Sequence, residues 1–244
     1  MKLDRGDGVE LAYNFRPHRG VAVVFLPGFM SDMSGDKAGA VRAWCAAHGH
    51  ACLLLDYSGH GASGGRFEDG TIGSWTQDAL TVIDRIAPGP IVLIGSSMGG
   101  WIALNVALAR PDRVQALIGI AAAPDFTETL MLPAFTPAQR DTLAREGVLR
   151  LHSQYGGDQI ITRALIEEGR AHLLLGGPIA ITCPVRLLHG QRDPDVPWET
   201  SLRLAERLDS EDVRVILVKD GDHRLSRAQD IALLCETLSG CLQR

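Results

Sequence analysis

A serine with a glycine two residues to either side, Gly95-Ser-Ser97-Met-Gly99, stands where the apolar run Ile91 to Ile94 gives way to the helical pattern Trp101-Ile-Ala-Leu-Asn-Val-Ala-Leu-Ala109. Small residues at 95 and 99 let a strand turn sharply into a helix, and the side chain at the apex of such an elbow is pushed clear of the backbone. A serine hydroxyl is a poor nucleophile at neutral pH. It attacks acyl carbonyls only when a histidine takes its proton and a carboxylate holds that histidine in the right tautomer. Ser97 is therefore a candidate acyl-transfer nucleophile. The same spacing recurs at Gly61-Ala-Ser63-Gly-Gly65, which runs on into Arg66-Phe-Glu-Asp, with no strand immediately before it and no apolar helix after it. Ser63 reads as a loop serine, and Ser96, without flanking glycines, as part of the turn. A tight turn built for packing alone would show the same glycines around Ser97, so its partners must decide.

Two later loops offer them. The apolar run Val213 to Val218 is followed by Lys219-Asp-Gly-Asp-His223, and of the eight histidines His223 alone lies in the loop after the last such run. The run Pro184 to His189 is followed by Gly190-Gln-Arg-Asp193-Pro-Asp195-Val-Pro197, with two aspartates as candidate acids. The order serine, acid, histidine is the one that elbow hydrolases show. Asp220 and Asp222 are too near His223 in sequence to reach around its ring and read as turn residues. His189 ends a strand and reads as a structural neighbour of the acid loop. His60 sits in a glycine-rich loop that approaches the pocket, and the other histidines read as surface or terminal residues.

Something must hold these loops in place. Strands are predicted near Val21 to Leu26, Ala51 to Asp56, Ile91 to Gly95, Val114 to Ala121, Pro184 to His189 and Val213 to Val218. Helical patterns lie between them at about 36–48, 74–86, 98–109, 197–208 and 226–239. This alternation predicts an α/β fold, a three-layer α/β/α sandwich around a mostly parallel sheet, with Val9 to Phe15 as a further antiparallel edge strand. From Pro124 to Pro178 the rhythm breaks: helical patterns continue without a clear strand. Residues 1–123 and 179–244 are thus expected to form the core and 124–178 a helical cap over the edge of the sheet where ligands bind. The cap's apolar residues, among them Phe126, Leu130, Met131, Leu132, Phe135, Leu143, Tyr155, Ile160, Ile161 and Leu173 to Leu175, are expected to build mainly its own core, with a few facing an acyl pocket.

Composition narrows the function. With 45% hydrophobic residues in 244, the chain can bury a sizeable core unaided. A net charge of -5 and the absence of any dense Lys or Arg run argue against a nucleic-acid partner. The apolar runs fall short of a membrane span. Cys45, Cys52, Cys183, Cys235 and Cys241 are an odd, scattered set with no Cys-x-x-Cys pair, and the opening residues lack a secretory h-region. Both features predict a reduced, cytoplasmic location. No metal-ligand spacing is present, and the chemistry requires no cofactor.

The elbow resembles that of the α/β-hydrolase superfamily. The segments Phe25-Leu-Pro-Gly-Phe-Met-Ser-Asp-Met-Ser-Gly35, Leu55-Asp-Tyr-Ser-Gly-His-Gly-Ala-Ser63, Thr71-Ile-Gly-Ser-Trp75, Gly95-Ser-Ser-Met-Gly-Gly-Trp101 and Cys183-Pro-Val-Arg-Leu-Leu-His-Gly190 sharpen the likeness. Together they are similar to the mitochondrial palmitoyl-protein thioesterase group, also described as acyl-glucuronide esterases, and its bacterial relatives, over residues 20–240. The resemblance implies hydrolysis of esters or thioesters, with Ser97, Asp193 and His223 at the matching positions. The family pattern His-Gly-x-x-Asp-x-x-Val-Pro favours Asp193 over Asp195. The resemblance does not carry a mitochondrial location, because no Arg- and Ser-rich leader precedes the first strand. Two backbone N–H groups must bind the oxyanion. One is expected from Met98, after the nucleophile, and one from the loop Pro27-Gly28-Phe29-Met30, at Phe29, since Pro27 has no N–H.

The expected function is a cofactor-free serine hydrolase acting on small acyl esters of medium-chain or longer acyl groups. A thioesterase acting on acyl proteins or acyl-CoA is the rival within enzymes, and a non-catalytic ligand-binding protein on the same fold is the rival outside them. A dehalogenase would need a carboxylate at position 97.

Overall fold

The computed structural model describes residues 1–152 and 157–242. Tyr155, counted above with the cap, lies outside the described residues. The main sheet runs through β1 (Lys2–Asp4), β2 (Glu10–Arg16), β3 (Ala22–Leu26), β4 (Ala51–Leu55), β5 (Ile91–Ser96), β6 (Val114–Ile120), β9 (Val185–Gly190) and β10 (Val213–Val218), in the spatial order β1-β2-β4-β3-β5-β6-β9-β10. From β4 to β10 all pairs are parallel, while β2 runs antiparallel to β4 and β1 to β2. The predicted antiparallel strand is therefore present. It is not the edge, because Lys2–Asp4 adds a short strand that three residues of mixed polarity do not signal.

Strands β3, β4 and β5 are buried along their whole length. Helices cover both faces of such strands, which is why they read as unbroken apolar runs. Along β3 the side chains alternate between two cores. Val24 and Leu26 pack with Trp75, Trp101 and Leu204, from α2 (Ile72–Ile86), α3 (Met98–Ala109) and α7 (Glu199–Arg207). Val23 and Phe25 pack with Val41, Leu234 and Leu238, from α1 (Asp36–His48) and α8 (Ala228–Leu242). The period of two in the strand divides the apolar residues between the outer layers.

The insertion between β6 and β9 corrects the all-helical expectation. It contains a π-helical turn (Thr127–Met131), α4 (Leu132–Ala134), α5 (Pro137–Glu146) and α6 (Arg163–Gly169), and also an antiparallel hairpin, β7 (Val148–His152) paired with β8 (Asp158–Thr162). Only Leu149 on β7 and Ile161 and Thr162 on β8 are buried, so the alternation is too short to stand out against the flanking helical patterns. Phe135, Leu143, Leu149, Ile161 and Ile166 form a separate small core. Phe126, Leu165 and Leu175 join the main one.

Candidate active site

The elbow is built where the sequence places it. Ser97 lies between the end of β5 and the start of α3 with φ 54° and ψ −120°, a strained conformation for a residue with a Cβ. The strain is held from both sides. Ser97 N–H donates to Ile120 O at 2.9 Å, and the turn closes so tightly that a Cβ on Gly95 would lie 2.2 Å from Gly99 O. A Cβ on Gly99 would lie 2.1 Å from Leu26 O.

Two and three crossovers further along the chain, the loops after β9 and β10 bring the partners. Ser97 Oγ lies 3.1 Å from His223 Nε2, and His223 Nδ1 lies 2.7 Å from Asp193 Oδ2. Nδ1 donates to the carboxylate, which leaves Nε2 to accept the serine proton. The Asp193 side chain is fully buried and that of His223 is 16% exposed. Asp193 Oδ1 accepts from the N–H groups of Asp195 at 2.8 Å and Val196 at 2.9 Å. His189 Nε2 faces two acceptors, Asp193 Oδ2 at 3.2 Å and Val196 O at 3.0 Å, so it carries the proton, and Nδ1 accepts from Ser201 Oγ at 2.7 Å. Burial alone would raise the Asp193 pKa, but donation from His189, His223 and the Val196 amide outweighs it and holds the carboxyl well below the usual carboxylate range. Asp193 is thus an anion held within hydrogen-bond reach of His223.

The remaining sequence candidates separate cleanly. Asp195 is exposed and supports Asp193 through its backbone N–H. Asp222 Oδ1 accepts from Leu225 N–H, and Asp220 pairs with Arg227 at 2.7 Å. Ser63 Oγ donates to Asp56 O and accepts from Ala12 N–H, so the second Gly-x-Ser-x-Gly ties a loop together. Asp193, Asp195 and His223 are close enough together to hold a cation. Both oxygens of Asp193 are already committed to donors, and both nitrogens of His223 to Asp193 and Ser97.

Met98 opens α3, where the first N–H groups of a helix lack intrahelical acceptors. The Pro27–Met30 loop lies against the elbow: a Cβ on Gly28 would be 3.4 Å from Ser97 Cβ. That loop is held by groups to which the sequence reading gave no such role. Tyr57 Oη donates to Pro27 O at 3.2 Å. The Phe29 ring stands edge-on to Phe67, Trp75 and Phe126, with centroids 5.2, 6.0 and 6.0 Å away. His60 is buried behind this cluster. Its Nδ1 donates to Ser58 O at 3.2 Å, and its ring contacts Tyr57, Phe67 and Trp75. Its Nε2 has no partner among the described residues. Burial lowers the His60 pKa, which favours the neutral ring. The signal in the sequence was the aromatic spacing around the loop, Tyr57, Phe67 and Trp75, which by itself reads as ordinary core.

A family model described as "Serine aminopeptidase, S33" matches residues 17–155, more than half of the chain. The mitochondrial palmitoyl-protein thioesterase ABHD10 of Homo sapiens is 42% identical over 99% of this chain and 79% of its own length. The chain belongs to the α/β-hydrolase family. It is accordingly an enzyme of the hydrolase class that cleaves esters or thioesters. Among solved structures, a putative hydrolase from Agrobacterium vitis S4 matches with a TM-score of 0.95 and 41% identity over 99% of this chain and 97% of that one. Mouse α/β-hydrolase domain-containing protein 10 matches with a TM-score of 0.92 and 42% identity over 100% of this chain and 98% of that one.

Proposed function

We propose that this protein hydrolyses carboxylic esters, with thioesters as the alternative substrates, through an acyl-enzyme on Ser97. The observation that carries the reading is the continuous hydrogen-bond line Ser97 Oγ–His223 Nε2, His223 Nδ1–Asp193 Oδ2, set on a strained elbow. In the first half-reaction Ser97 Oγ bonds to the acyl carbon while His223 Nε2 takes its proton, and Asp193 stabilises the imidazolium. The N–H groups of Phe29 and Met98 receive the carbonyl oxygen as it gains negative charge. Collapse breaks the bond to the leaving alkoxide or thiolate, which leaves with the proton from His223. Water, deprotonated by the same histidine, then releases the acid and regenerates Ser97.

We take residues 124–178 as the cap that shapes the acyl pocket. Its half-buried Leu130 and Met131, and exposed Leu173, support acyl groups of medium chain length or longer. The thioester alternative is supported by the names of the mammalian relatives, which are palmitoyl-protein thioesterases. No helix of the described residues is long and apolar enough to cross a membrane. The free thiols Cys45, Cys52, Cys183 and Cys235 support a reducing compartment. We read that compartment as the cytoplasm, although those relatives carry mitochondrial names.

A fluorophosphonate probe is expected to label the wild-type protein at Ser97. Ser97→Ala should lose both labelling and turnover by several orders of magnitude. Labelling that persists in the variant, or that maps to Ser63, would refute the assignment.

A further inference from the structure

The loop that presents His223 is strained two residues later. Leu225 is a buried leucine with φ 43°, a conformation that persists only where the surroundings over-determine it. Some of its restraints are local: Leu225 N–H donates to Asp222 Oδ1 at 3.0 Å, Ser226 Oγ donates to Arg224 O at 3.1 Å, and Arg227 spans Asp220 and Asp230. Another comes from a different layer of the molecule. Lys37, in the first turn of α1, sends Nζ to Arg224 O, the carbonyl next to the base, and to Ser226 Oγ at 3.4 Å.

We propose that Lys37 is a positioning residue for His223, its ammonium clamping from α1 the loop that carries the base. This rests on the reading of His223 as the base. The clamp depends on pH. Burial, reinforced by the nearby charge of Arg224, pushes the Lys37 pKa down to about 8, while Asp222 on the loop, Asp36 on α1 and Asp230 on α8 oppose the shift. Below that value Nζ is charged and gives a charge-assisted hydrogen bond to Arg224 O. Above it the amine is neutral and the restraint on the loop weakens, so activity falls on the alkaline side.

The test is kcat and KM for a neutral acyl ester across pH 6 to 10, with wild-type, Lys37→Met, Lys37→Arg and Ser97→Ala. Lys37→Met is expected to lower kcat at pH 7 by roughly tenfold to a hundredfold, the scale on which small misplacements of catalytic groups act. KM should stay near the wild-type value, and the alkaline limb near pH 8 should disappear. Lys37→Arg, charged at every pH of the assay, should keep activity at pH 7 and carry it undiminished past the wild-type limb. Should Lys37→Met not fold, Lys37→Arg decides alone, a displaced limb supporting the proposal and an unchanged one overturning it. Profiles of both variants that superimpose on wild-type would also overturn it while Ser97→Ala stays inactive. Activity retained by Ser97→Ala would instead remove the acyl-enzyme reading on which the proposal stands.

Discussion

Asp193 receives four donors, two backbone N–H groups and two histidine nitrogens, and this concentration separates it from Asp195 two residues away. The backbone N–H of Asp195 serves Asp193 whatever its side chain is. Replacing Asp193 by Asn puts an amide where an anion must accept from His223 Nδ1–H and turns the imidazole toward the wrong tautomer. Asp193→Asn is therefore expected to lower kcat by roughly 10³ to 10⁴, on the scale of other triads, and Asp195→Asn by much less. Steady-state kinetics on the two variants checks the ranking, and the reverse order would transfer the role to Asp195.

At the level of elements, β3, β5 and α3 meet so closely that the elbow has no room for a side chain at its glycines. A Cβ at Gly99 would sit 2.1 Å from Leu26 O and 2.5 Å from Pro27 O, both backbone atoms at the root of the loop that carries Phe29. Relief requires that loop to move. Gly99→Ala is expected to cost about 1–3 kcal/mol of stability, as overpacking does, read from the urea unfolding midpoint. It should also lower kcat at least about a hundredfold if an oxyanion donor is displaced. Wild-type kcat in a folded Gly99→Ala protein would contradict this. The same closeness explains what was legible here. Strands buried on both faces declare themselves as apolar runs, and Gly95, Gly99 and Gly100 mark the place where α3 must approach them. The hairpin β7–β8 has neither signal, because each strand is half-exposed and, among the described residues, pairs only with the other.

For the whole molecule, substrate length depends on how the insertion meets the core. Phe126 contacts both Phe29 and Trp101, and Asp125 accepts from the N–H groups of Leu174 and Leu175 at 2.8 Å each, so both ends of the insertion are tied to each other beside the elbow. An acyl chain buried there would gain about 0.8 kcal/mol per CH₂ at best. We expect kcat/KM for a series of p-nitrophenyl esters to rise from acetyl to medium chains and then level or fall. Acetyl as the best substrate would mean that the cap fills the pocket. The sequence by itself determined the order of the candidate groups along the chain: an elbow at Ser97, an aspartate loop after β9 and a histidine loop after β10. These follow from local rules, since apolar periodicity and glycine placement act over a few residues. Only the tertiary structure decided that His189 shares Asp193 with His223, that Tyr57 and three aromatic rings hold the Phe29 loop, and that Lys37 reaches Arg224 across 187 positions. Such contacts depend on the distance and direction between separate elements, and no residue pattern within one element encodes them.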